Sequence, residues 1–166
     1  MRTKGLSWLV AMAALAFLSL STPVAAGEQV PFRGSLAGTF TISGFPIATV
    51  SANLTGDATH LGRFTLALPH HVDLLATPPS AIGTFVFIAA NGDMVSGTFT
   101  GVVASVDPPV VHVTEAATIT GGTGRFADAS GGFIITRALV LGSPDPATDP
   151  GTTSGFFNGT ISSPGK

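Results

Sequence analysis

Two charged residues stand in the middle of apolar strand faces, where ionisable side chains can do chemistry. In the segment Val110–Thr120 every second residue is apolar except Glu115, and in Gly132–Leu141 the same holds for Arg137. Because an isolated buried carboxylate is costly, we expect the two charges to pair. Inside a pocket such a pair can orient a ligand carbonyl or carboxylate, or let Glu115 act as a general acid or base.

The Gly-rich turn between these two segments predicts that they form a β-hairpin. We predict the register in which Glu115 faces Arg137, since a slip of one residue would turn a whole face away from the core. In that register the apolar residues also face one another: Ile119 lies opposite Phe133, Ala117 opposite Ile135, and Val113 opposite Leu139. The pair is then a ligand site, a structural ion pair in the core, or an exposed pair, and the sequence leaves the three open.

The candidate site consists of the two charges and their nearest apolar neighbours. Glu115 and Arg137 are the candidate catalytic residues. The candidate ligand-binding residues are Glu115, Arg137, Val113, Ile135 and Leu139.

The histidines and the Gly-rich turn add no further chemistry. His71 and Asp73 lie two residues apart, and His60 or His112 would have to complete a metal site with them. The four histidines lack the compact ligand spacing of zinc motifs. The segment Gly121–Gly124 is not followed by the Lys-Ser/Thr pair and the helix of a phosphate-binding loop. We therefore predict no metal and no cofactor.

The chain from residue 27 onward is predicted to be all-β. Thr, Val, Ile and Phe dominate, Gly or Pro recurs at short intervals, and no stretch has a helical period. Eight strands are predicted, at Phe32–Ile42, Ile47–Thr55, Leu61–Leu68, Gly83–Ala90, Met94–Val103, Val110–Thr120, Gly132–Leu141 and Ser154–Ser162, with loops at Pro69–Pro79 and Ser143–Pro150. Because closure removes free sheet edges, we predict an eight-stranded antiparallel up-and-down barrel, with a β-sandwich as the alternative.

Residues 1–26 have the three-part pattern of a secretory signal peptide. Arg2 and Lys4 precede an apolar run at Leu6–Leu20, and small residues follow at Thr22–Ala26. The run is shorter than the roughly 20 residues of a membrane span. We therefore predict cleavage after Ala26, a secreted or periplasmic location, no membrane span in the mature protein, and a single barrel domain over residues 27–166.

Composition narrows the partners of that domain. Without Arg2 and Lys4, five of the seven basic side chains remain against nine acidic ones, a net charge of −4. With no basic cluster, nucleic acid is not an expected partner. The chain has no cysteine and no tyrosine, and its one tryptophan, Trp8, precedes residue 27, which argues against a thiol site and a sugar- or base-stacking platform. Sparse surface charge favours a homo-oligomer.

Four segments resemble the allene oxide cyclase barrel family and the dirigent proteins, in the same order along the chain: Ala58–Phe64, Ala89–Asp93, Ile119–Phe126 and Phe156–Ser162. The specific one is the Gly-rich turn, whose Gly-Gly-Thr-Gly-x-Phe form is shared with plant dirigent proteins. The chain is most similar to small secreted members of the family. The resemblance implies a barrel with an apolar cavity open at one end, and often a trimer. Together with the sparse surface charge, it leads us to predict a homo-oligomer that is a trimer or a dimer. The resemblance does not imply an enzymatic activity for this chain, because the tyrosine and cysteine of the allene oxide cyclase site are absent from its sequence.

Two functions remain open from the sequence. The first is a non-catalytic barrel that binds a small apolar ligand or a protein partner. The alternative is an allene oxide cyclase-like or dirigent-like isomerase or cyclase that acts on an apolar intermediate inside the barrel. The sequence favours the first, because an enzyme needs several polar side chains converging on one pocket and only the pair Glu115 and Arg137 is found.

Overall fold

A computed structural model describes residues 27–142 and 149–162, so the predicted signal peptide and most of the predicted loop Ser143–Pro150 lie outside the described residues. The strands are β1 (Gln29–Ser43), β2 (Ile47–Ala58), β3 (Gly62–Asp73), β4 (Ser80–Ala89), β5 (Met94–Asp107), β6 (Val110–Gly122), β7 (Gly131–Val140) and β8 (Gly151–Ser162), with a 3₁₀ turn at Gly124–Phe126. They form one closed antiparallel barrel in chain order, in which β8 also pairs with β1. The predicted up-and-down barrel is confirmed. In the described part of the chain, no helix has the length and apolar character needed to cross a bilayer.

Six phenylalanine rings fill the middle of the barrel: Phe32, Phe64, Phe85, Phe87, Phe133 and Phe157. Neighbouring ring centroids lie 4.9 to 6.2 Å apart, mostly in tilted or edge-to-face contacts. Several rings lie against a glycine directly opposite on the next strand: Gly34 opposite Phe157, Gly56 opposite Phe64, Gly97 opposite Phe85, and Gly159 opposite Phe133. A Cβ at any of these glycines would come within 2.6 to 2.9 Å of the phenylalanine side chain. The inward glycines therefore provide the space that the rings occupy.

The Gly-rich link between β6 and β7 closes one end of the barrel. It buries Phe126 in the core, and it places Arg125 outside, where Nε donates to Asp93 Oδ2 at 3.0 Å and Nη2 donates to the His60 carbonyl oxygen at 3.2 Å. Hydrogen bonds from Asn91 and from Arg125 lower the pKa of Asp93 below its ordinary value. The most distinctive motif of the sequence thus ties three turns together at the closed end.

Strand β3 continues beyond its predicted end. The sequence predicted a loop at Pro69–Pro79, but the strand extends to Asp73. The ladder to β4 pairs Ala67 with Val86 and resumes with His70 opposite Gly83, and Pro69 has no partner there. A proline has no N–H to donate, so it fits a strand only where no ladder bond is needed. The longer strand brings His70 onto the inner wall.

The register between β6 and β7 also differs from the predicted one. Glu115 lies opposite Ile135, and Arg137 lies opposite Val113, a shift of two residues. Gly121 and Gly122 pair with β5 rather than with β7, so the β6–β7 ladder ends at Ile119 and Gly131. Because side chains alternate with a period of two, the shift leaves every residue on the face that was predicted for it.

Candidate functional site

Glu115 and Arg137 form a buried ion pair inside the barrel. They are diagonal rather than direct neighbours across β6 and β7, a separation that long side chains can span. Arg137 Nε donates to Glu115 Oε2 at 2.8 Å, and Nη2 donates to Oε1 at 2.5 Å. The two side chains are 1% and 2% exposed. The exposed alternative is therefore wrong, and a structural role and a ligand-binding role remain.

A cavity of about 270 Å³ lies at the end of the barrel opposite the Gly-rich link. Its wall is mainly apolar and includes Phe40, Ile42, Val50, Val72, Val113 and Leu139. Glu115, Arg137 and His70 contribute to the same wall. The sequence thus folds into an apolar chamber with a small set of ionisable groups on one part of its lining.

Four of the five predicted ligand-binding residues line this cavity: Glu115, Arg137, Val113 and Leu139. Ile135 does not, because it is fully buried in the phenylalanine-rich core, directly opposite Glu115. Its role is to pack beneath the ion pair rather than to contact the cavity. Ligand binding by the other four stays a prediction.

His70 is an ionisable residue of the cavity wall that was not predicted from the sequence. It is 7% exposed, its ring makes an edge contact with Phe99 at 5.4 Å between centroids, and Nδ1 lies 2.9 Å from the Leu68 carbonyl oxygen. A carbonyl only accepts, so Nδ1 carries the proton and the neutral ring keeps its lone pair on Nε2. The signal was the alternation Leu66, Leu68, His70, which continues the inward face of β3.

Burial lowers the pKa of His70 below its ordinary value. The hydrogen bond to Leu68 and the Glu115 carboxylate act in the opposite direction, whereas the charges of Arg137 and His71 add to the lowering. The ring is therefore neutral at pH 7 and presents an acceptor rather than a positive charge.

This lowered pKa predicts that acid weakens the fold. Below the ordinary value of 6.5, the unfolded chain takes up a proton at His70 that the folded barrel does not. The contribution of neutral His70 to the free energy of unfolding should be fully present above pH 6.5. It should decrease as the pH falls through that value toward the lower pKa of the folded state. Urea titrations followed by circular dichroism between pH 7 and about 5.5, above the carboxylate range, measure this. His70→Gln should remove the decrease, and His71→Gln on the outer face should not; an unchanged slope in His70→Gln would contradict the assignment.

The other histidine candidates lie outside the cavity. His71 Nδ1 is 3.3 Å from Thr49 Oγ1 on the outer wall, and Asp73 accepts hydrogen bonds from the backbone N–H groups of Leu75 and Ala76. His60 lies in the turn between β2 and β3. Within residues 27–142 and 149–162, no group of three or more His, Cys, Asp or Glu side chains is placed to hold a metal ion.

Among solved structures, the chain is similar to the pterocarpan synthase dirigent protein. The TM-score is 0.49 at 12% sequence identity, with 84% of this chain and 87% of that chain covered. No family model matches the sequence, and no curated protein does. The barrel architecture therefore rests on the strand pairing of this chain itself, and the family resemblance of its motifs stays a prediction.

Proposed function

We propose that the protein binds a small, largely apolar molecule in the cavity lined by Glu115, Arg137 and His70. The observation that carries this proposal is a mainly apolar cavity of about 270 Å³ whose wall also holds Glu115, Arg137 and His70, close enough to one another to interact electrostatically. A dry apolar cavity of about 150 Å³ is enough to bind benzene, and drug-sized ligands occupy roughly 300–1,000 Å³. The size favours a ligand with one ring or a short acyl chain.

The lining explains how such a ligand is held. Apolar walls favour binding by about 25 cal/mol for each Å² of apolar surface removed from water. That contribution has no direction, so it does not orient the ligand. The few polar groups supply direction, because a ligand that places a polar atom away from Arg137 or His70 would bury it without a partner.

Filling the cavity should weaken ligand binding. Val113 lines the cavity, whereas Val140 on the neighbouring strand is 41% exposed on the outside of the barrel. We expect Val113→Trp to weaken the binding of toluene and of methyl octanoate at least about tenfold, because the indole occupies the ligand's volume. Ligand-observed NMR titration gives the dissociation constants, and circular dichroism verifies the fold.

Val140→Trp is the matched control, since it adds the same indole outside the cavity. Equal binding by the two variants would place the ligand elsewhere and overturn the proposal. Mass spectrometry of the ligands recovered after incubation separates the two functions that the sequence left open. Unchanged ligands favour a binding protein, and a rearranged product lost in Val113→Trp would favour the isomerase or cyclase alternative.

A further inference from the structure

Arg137 has a donor that the ion pair does not use. Glu115 occupies the edge formed by Nε and Nη2, whereas Nη1 is buried and has no hydrogen-bond acceptor among the described residues. The guanidinium is planar and rigid, so the Nη1 hydrogens point away from the edge that Glu115 occupies. A buried charged donor without an acceptor is unfavourable, and an acceptor carried by a bound molecule would remove that penalty.

The charge of the lining restricts what that acceptor can be. Glu115 already neutralises Arg137, and within the described residues His70 is the one other ionisable side chain of the cavity wall. Since burial lowers the pKa of His70, its ring adds no positive charge at pH 7. A ligand carboxylate would therefore bring a second negative charge to a single guanidinium, whereas a carbonyl would accept from Nη1 and leave the site neutral.

We infer that the cavity selects neutral carbonyl compounds with an apolar body, and that Arg137 Nη1 donates to the carbonyl oxygen. This inference rests on the proposed function, because it specifies the ligand class of the same cavity. It excludes free acids of the same chain length, and it gives the ion pair a role in selection: Glu115 holds the guanidinium in place and cancels the charge that would otherwise attract carboxylates.

Three probes of similar apolar length test the selection: methyl octanoate, octanoate and nonane. Calorimetric or NMR titration of the wild-type protein at pH 7.5 should rank the ester first. A hydrogen bond to a charged donor corresponds to roughly tenfold or more in affinity, so the ester should bind at least about tenfold more tightly than nonane. Octanoate should bind more weakly than the ester by a similar factor.

The double variant Glu115→Leu with Arg137→Met removes the charges while keeping apolar side chains of comparable size. It should bind nonane at least as well as the wild type and lose the preference for the ester. Arg125→Met is the matched control, because Arg125 is also paired with a carboxylate but lies at the closed end of the barrel. It should leave all three affinities unchanged.

The infrared carbonyl stretch of bound methyl octanoate gives a readout that needs no variant. A hydrogen bond from a guanidinium should move the stretch to lower wavenumber than in a hydrocarbon solvent, in a region clear of the amide band. An unshifted stretch, equal affinity for all three probes, or tighter binding of octanoate would overturn the selection while leaving the cavity proposal standing. If none of the probes binds the wild type, both proposals fail.

Discussion

Replacing Arg137 with methionine is expected to lower the free energy of unfolding by about 3–5 kcal/mol, because it leaves the Glu115 carboxylate buried without its partner. The Glu115 side chain is 2% exposed, and its two carboxylate oxygens accept hydrogen bonds from Arg137 Nε and Nη2. A domain of this size has a total stability of only about 5–15 kcal/mol, so the single variant should be close to unfolding. Urea denaturation followed by far-ultraviolet circular dichroism measures the loss.

The control for this prediction is the removal of both charges at once. Glu115→Leu combined with Arg137→Met leaves no unpaired charge in the core, and replacement of a buried pair by apolar residues is often neutral or stabilising. We expect the double variant to recover most of the stability that Arg137→Met loses. If the double variant is as unstable as the single one, the pair stabilises the fold through packing rather than through charge. No ligand would then be needed to explain why the two side chains lie in the core.

The sequence predicted the barrel and the partners of the buried pair from the same regularity, the alternation of apolar residues. Alternation assigns a face to each residue, and Glu115 and Arg137 interrupt the same inner face. It does not assign the register, because a shift of two residues preserves every face. The actual register depends on how many residues the Gly-rich link uses, and the pairing of Gly121 and Gly122 with β5 depends on contacts distant in sequence.

His70 shows a second limit of the same kind. The sequence around it combines two histidines with a proline, a composition typical of loops. The strand continues because Val72 and Asp73 still pair with β2, whose partner residues are Ala48 and Ile47. Tertiary pairing thus overrides the local signal, and it places a residue that was predicted to lie in a loop among the ionisable groups of the cavity wall.

Replacing Gly56 with alanine should destabilise the barrel, although alanine is ordinarily the better strand residue. A Cβ at this position would lie 2.7 Å from Phe64 Cζ and would collide with the backbone carbonyl oxygen of Ser35. Overpacking of this kind costs about 1–3 kcal/mol, which exceeds the gain of about 0.4–1 kcal/mol from a stiffer unfolded chain. The expected net result is a lower midpoint of urea denaturation.

Ser51→Ala is the control, since it also gives an alanine in the same strand but on the outer face, where changes usually stay within about 0.5 kcal/mol. Combining Gly56→Ala with Phe64→Leu should give a loss smaller than the sum of the two single losses, because leucine lacks the ring edge that meets the new methyl group. The inward glycines would then explain why phenylalanine rings fill the middle of the barrel, whereas the end opposite the Gly-rich link keeps a cavity. A Gly56→Ala variant more stable than the wild type would show instead that the rings move aside without cost.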